Sequence, residues 1–147
     1  MEQEFHRQGL ELSRQTMANW LLDSADLWLK PIYECLHKKL LTHEMLHADE
    51  TTLQVLHEEG RRPQSKSYMW VYRTSGDAEH PIVLYKYEQG RSGRYPEEFL
   101  QGFKGYLHSD CYSAYHNLGR DVINVGCLVH ARRKFHDVIK LNKKRWS

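Results

Sequence analysis

A chain of 147 residues with 40% hydrophobic and 27% charged content fits one ordinary globular domain with a short accessory segment and excludes a two-domain enzyme. Its 12% aromatic content, with four Trp and nine Tyr, excludes disorder, because such side chains supply the apolar area that offsets chain entropy. The polar N-terminus and the short apolar runs predict neither a signal peptide nor a membrane partner, and so a cytoplasmic protein. Three scattered cysteines, Cys35, Cys111 and Cys127, suit reduced thiols better than a disulfide framework. The net charge of +2 is unevenly spread. Residues 130–147 hold seven Lys and Arg against Asp137, a local +6, so residues 1–129 carry −4. A basic end on a mildly acidic body is a candidate phosphate-contacting surface, although a solvated helix face has the same composition.

In chain order, Ser13 is the predicted N-cap of a short helix to about Leu22, with Leu12, Met17, Trp20 and Leu21 on one side. A second helix is predicted from about Ala25 to Leu40, with Pro31 marking a kink or a later start. Met45–Leu56 then approaches a two-residue repeat, the mark of a strand with one buried face. Ser67–Thr74 and Pro81–Tyr87 are rich in aromatic and branched residues, and the three strands predict an antiparallel meander. A short helix from Pro96 towards Gly105 follows, then a strand Tyr106–Ser109 running into Asp110. A helix over Tyr112–Leu118 ending at Gly119, a buried strand over Val122–Val129 and a final helix over His130–Lys144 complete the series. On that last helix Ala131, Phe135, Val138 and Asn142 share one face.

The resulting order, βββαβαβα preceded by helices, predicts an α/β (α+β mixed sheet) fold of the ribonuclease-H-like kind. The expected division is a helical segment over 1–42 and a partial catalytic domain over 43–147. Asp49 lies in the first predicted strand and Asp110 at the end of the fourth, and in such a sheet these strands are neighbours. Two converging carboxylates suit phosphodiester chemistry, which uses paired divalent ions to activate the attacking oxygen and stabilise the leaving one. Taken singly, Asp49 reads first as a polar strand residue and Asp110 as a helix N-cap; together with the element order the pair reads instead as a metal-holding site. Glu50 should point to the other side of the strand, so it is not counted as a ligand.

Four strings, LHADETTLQVL, KSYMWVYRT, GYLHSDCYSAY and GCLVHARRKF, resemble in order and spacing the blocks of the transposase of the insertion-sequence-66 family. The resemblance runs from about Leu10 to about Lys140. It implies that Asp49 and Asp110 are the first two catalytic, metal-holding acids of a DDE triad. The third, a Glu in a downstream motif, has no counterpart here, so the chain is expected to be an incomplete catalytic core. Cys111 departs from the family's usual Gly. The implied cofactor is Mg2+ or Mn2+, two ions in the full-length protein, and the implied partner is DNA, at transposon ends and target, with a homo-oligomer possible.

Cys127 and His130 form a C-x-x-H pair. Two ligands fall short of the four a structural zinc site needs, so no zinc is expected, and the resemblance implies an active-site support. Arg132, Arg133 and Lys134, with Lys140 further on, are candidate DNA-phosphate contacts or a solvated face. The N-terminal segment resembles the end of a helix-turn-helix, with Gly9 in the turn. The leading expectation is a DNA transposase core fragment, inactive alone. The alternatives are an inactive DNA-binding or self-associating fragment, or a complete small ribonuclease-H-like nuclease with Glu97, Glu98 or Asp137 as third ligand.

Overall fold

The structure, a computed structural model, describes the backbone of residues 2–110 and 112–145 and the side chains of these as far as residue 139. The chain divides into two compact units, Met1–Lys38 and Lys39–Ser147. The first is helical, with α1 at Glu2–Arg7 and α2 at Arg14–Ser24. Gly9, at φ 76°, makes the turn between them. Ser13 caps α2 as its sequence position predicts: its backbone is extended and its Oγ accepts a hydrogen bond from the Thr16 N–H at 3.0 Å. The predicted second helix also forms, but its first five residues, Ala25–Leu29, are π-helical and only Lys30–Leu40 is the regular α3. Pro31 is the cause. It has no N–H to donate to the preceding turn and its ring crowds that turn's carbonyl, so the wider π turn relieves the clash. Neither α1, α2 nor the π segment buries a residue, and Trp20, Leu21 and Trp28 are each more than half exposed. The apolar side expected of α2 is therefore not a core face.

The second unit contains β1 (Met45–Gln54), β2 (Lys66–Thr74), β3 (Val83–Glu88), α4 (Arg94–Phe99), β4 (Gly105–Ser109), a 3-10 turn (Ser113–Tyr115), β5 (Val122–Gly126) and α5 (Leu128–Arg145). The strands form one mixed sheet in the order β3-β2-β1-β4-β5. β1, β2 and β3 pair antiparallel, whereas β4 joins β1 and β5 in parallel. This is the ribonuclease-H-like α+β arrangement that the element order predicts.

Three local expectations fail for identifiable reasons. The helix expected over Tyr112–Leu118 is only the 3-10 turn, because the Asp110 carboxylate takes the Tyr112 N–H at 2.8 Å and holds Tyr112 extended. α4 begins at Arg94, two residues before Pro96, so the proline sits in the first turn rather than opening it. β5 stops at Gly126, which moves Leu128 and Val129 from the strand into α5 and leaves Cys127 at the junction. The amphipathic face read from α5 is not buried either: Phe135 is 74% and Val138 57% exposed.

One face of the sheet carries the core. Leu46, Ala48, Trp70, Tyr72, Leu84 and Leu107 are buried there, with Tyr95 and Phe99 of α4 and Tyr115 of the 3-10 turn. Tyr72 stacks on Phe99 with ring centroids 3.8 Å apart, and Trp70 meets Tyr115 edge-on at 5.9 Å. The alternate residues of the same strands, among them His47, Asp49, Val71, Tyr85 and Ile123, are half-buried or exposed.

The parallel β1–β4 seam begins where the Tyr106 N–H donates to the Glu44 carbonyl at 2.8 Å. Gly105 permits that approach, since at φ 146° a side chain there would run into the same carbonyl. Gly102, at φ 85°, has open space around it. Gly102→Ala should cost only the backbone strain of about 1–3 kcal/mol. Gly105→Ala should cost more, because backbone cannot swing aside as a side chain can. Urea unfolding of the two variants measures the difference, and equal losses would remove Gly105 from the control of this seam.

Candidate active site

In the parallel register of β1 and β4, His47 stands opposite His108 and their rings lie 4.6 Å apart. Two residues further on are Asp49, within β1 and on the same face as His47 by the alternation of strand side chains, and Asp110, one residue past the end of β4. A cleft of about 180 Å³ opens there, lined by both aspartates, His47, His108, Cys127 and His130. The four residues singled out in the sequence as catalytic or supporting thus reach one place.

Each aspartate is oriented by backbone. Asp49 is exposed and its Oδ1 accepts from the Glu50 N–H at 2.9 Å. Asp110 Oδ1 accepts from the Tyr112 N–H, and Oδ2 lies 3.9 Å from Arg91 Nη2. The Cys127 N–H donates to the Ser109 carbonyl at 2.8 Å, extending the β4–β5 ladder by one bond. The carbonyl of Cys127 then accepts from the His130 N–H at 3.1 Å in the first turn of α5. His130 Nδ1 is buried with no hydrogen-bond partner among the described residues. His47 is held below the ordinary histidine value, by burial first and then by the charges of Arg73 and His108.

Among the described residues no group of three or more His, Cys, Asp or Glu side chains is arranged to hold a metal ion. Glu97, Glu98 and Asp137 do not line the cleft. Arg132, Arg133 and Lys134 are exposed on α5. The side chain of Lys140, and Cys111, lie outside the described residues.

The sequence reading left Glu50 without a role. It does point away from Asp49, as expected, but into the covered face, where its side chain is 1% exposed. Its Oε1 accepts from Arg91 Nε at 2.7 Å and also from Nη2, and its Oε2 accepts from the Tyr115 hydroxyl at 2.6 Å. Arg91 in turn lies 3.7 Å from the Tyr112 ring centroid. Burial pulls the Arg91 guanidinium down, but the hydrogen bond and charge of Glu50, with lesser help from Tyr112 and Asp110, leave it raised overall. Burial, and next the Glu50 hydrogen bond and charge, push the Tyr115 phenol far up. A carboxylate on the same face as Leu46 and Ala48 was a signal, because a buried charge requires a partner. The partner itself, 41 residues away, was not readable.

A five-stranded sheet in this order, with one acid in the middle of its first strand and another just past the end of its fourth, defines a ribonuclease-H-like domain. The family model described as "Transposase IS66 family" matches residues 1–147, and the chain belongs to that family. Two Sinorhizobium fredii proteins are similar to it: uncharacterized protein y4qI is 34% identical over 145 residues, and uncharacterized protein y4jD 35% over 152. The alignments cover 90% and 95% of this chain but 26% and 29% of those relatives, so the chain spans little more than a quarter of their length. No solved structure matches. Among the described residues no helix is long and apolar enough to cross a membrane.

The raised Tyr115 phenol sets a pH dependence. Below the ordinary tyrosine value of 10.0 the phenol is protonated in both folded and unfolded chains. Above it the unfolded chain loses that proton and the folded chain keeps it, so stability falls as pH rises. Urea unfolding followed from pH 9 to 11 should show the decline, about 1.4 kcal/mol per pH unit at most from this one group. Tyr115→Phe should flatten it, and an identical slope in that variant would assign the decline elsewhere.

Proposed function

We propose that this chain supplies Asp49 and Asp110 as metal-holding carboxylates of a DDE transposase that cuts and joins DNA strands at transposon ends. The observation that supports the reading is that the β1–β4 pairing runs to His47 and His108, and that both acids, each two residues further on, line one cleft in a member of the IS66 family. Their oxygen donors fit Mg2+ or Mn2+, hard cations that keep several waters and so leave places for phosphate oxygens. Two such ions, when bound, stabilise charge on the attacking and leaving oxygens.

The chain's own groups set the geometry. The Glu50 and Tyr112 N–H groups fix one oxygen of each aspartate, which limits the rotamer freedom lost on binding. His47 is held below its ordinary value, which limits the positive charge it places beside Asp49. Cys127 and His130 tie the start of α5 to the end of β4 and so support the cleft wall. No side-chain nucleophile is required. Water attacks the phosphodiester at the transposon end and leaves a 3′-hydroxyl, whose oxygen then attacks a target-DNA phosphorus and displaces the target's 3′-oxygen as a hydroxyl, one phosphodiester bond exchanged for another. The exposed Arg132, Arg133 and Lys134 serve as sequence-independent phosphate contacts.

Calorimetric titration with Mn2+ tests the site. Asp49→Asn and Asp110→Asn should each weaken binding by more than the roughly 10-fold typical of losing an outer partner. In a family transposase that contains this segment, either substitution should abolish transposition while leaving DNA binding intact. Unchanged Mn2+ affinity in both variants would remove the chemical basis of the reading.

A further inference from the structure

Next to Asp110, whose Oδ2 is 3.9 Å from Arg91 Nη2, Arg91 and Arg94 border a groove of about 450 Å³ that also includes Ser92, Gly93, Tyr112 and Asn117, with Glu97 as its acid. Each guanidinium is braced on a tyrosine ring, Arg91 at 3.7 Å from the Tyr112 centroid and Arg94 at 4.8 Å from that of Tyr95. Arg94 Nη2 also donates to the Tyr95 hydroxyl at 3.2 Å. Arg91 is fixed further by Glu50. A carboxylate as enclosed as that one is costly to keep ionised unless a cation stays with it, so the guanidinium has a set place. Its side chain remains 39% exposed, and Glu50 engages its Nε and Nη2, a part of the five donors a guanidinium carries.

A planar cation held in position, still open to solvent and next to a candidate catalytic acid, is suited to gripping a phosphate oxygen, because little side-chain entropy is left to lose. The basic residues of α5 differ here, since their exposed side chains must be ordered on binding. We propose that Arg91 and Arg94 form a phosphate-binding strip that seats the DNA backbone beside Asp110, separately from Arg132, Arg133 and Lys134. The proposal rests on the DNA-transposase reading and names the part of the chain that positions the strand for it.

Fluorescence anisotropy of the full chain with a labelled duplex of random sequence, over roughly 50–200 mM salt, is the test. Arg94→Gln alters an exposed side chain outside the core and should lower the magnitude of the salt slope by about one unit. Glu50→Gln combined with Arg91→Gln avoids stranding a buried charge and should remove about one more. A thermal melt confirms that each variant folds. Substituting Arg132, Arg133 and Lys134 together by Gln should reduce affinity additively with these. Unchanged slope and affinity in Arg94→Gln, with wild-type binding intact, would overturn the strip alone. Failure of the wild-type chain to bind DNA at the lowest salt would overturn the DNA reading, and the strip with it.

Discussion

The hydrogen bond from Tyr106 to the Glu44 carbonyl, made possible by the absence of a side chain at Gly105, is the constraint on which the rest of the second unit depends. It starts the parallel pairing of β1 with β4, and a strand pair has no intermediate registers. A slip by one residue would turn every side chain of one strand to the other face. Asp110 would then turn to Glu50's side of the sheet, and Leu107 would leave the core. Acid placement and hydrophobic burial are thus fixed by the same choice, and the apolar term enforces it: fully burying a leucine contributes about 1.5–3 kcal/mol, more than a polar residue at a strand end could demand by itself.

The two faces of the sheet divide the work. The covered face stacks Tyr72 on Phe99 and sets Trp70 against Tyr115, and it buries one carboxylate, Glu50, among them. That carboxylate is tolerated because both of its oxygens are engaged, one by a guanidinium and one by a phenol. The cleft keeps Asp49 exposed and Asp110 24% exposed in side chain, so both are open to solvent. Adjacent residues in one strand, Asp49 and Glu50, therefore have opposite tasks only because strand side chains alternate.

This alternation explains what could be read from the sequence. Leu46 and Ala48 marked the buried side of β1, which placed Asp49 on the other, and the element order made β1 and β4 neighbours. Ser13 as a cap and Gly9 as a turn were equally legible, being local chemistry. Tyr112–Leu118 was misread because one side chain, that of Asp110, captured the N–H that a helix start would have presented elsewhere. The apolar sides of α2 and α5 are exposed for another reason: periodicity shows that a helix has an apolar side, not that anything packs on it. Arg91 was invisible as a partner of Glu50, since an ion pair bridging 41 residues leaves no trace in spacing.

The electrostatics of the cleft follow from these placements. The fixed cations beside the acids are arginines, Arg73 lining the cleft and Arg91 at 3.9 Å from Asp110, whereas His47 is held towards its neutral form. Arginine keeps its charge throughout the physiological range, so the local field does not switch with pH as it would if imidazolium supplied it. Cations so placed would compete with a metal ion if they were free to collapse onto the carboxylates. Arg91 is not free: its Nε and Nη2 are committed to Glu50 and its plane to Tyr112, and at 3.9 Å it stops short of a hydrogen bond with Asp110. The buried Glu50 therefore does more than balance a charge. By holding the guanidinium back, it keeps positive potential beside Asp110 without closing a hydrogen bond on Oδ2.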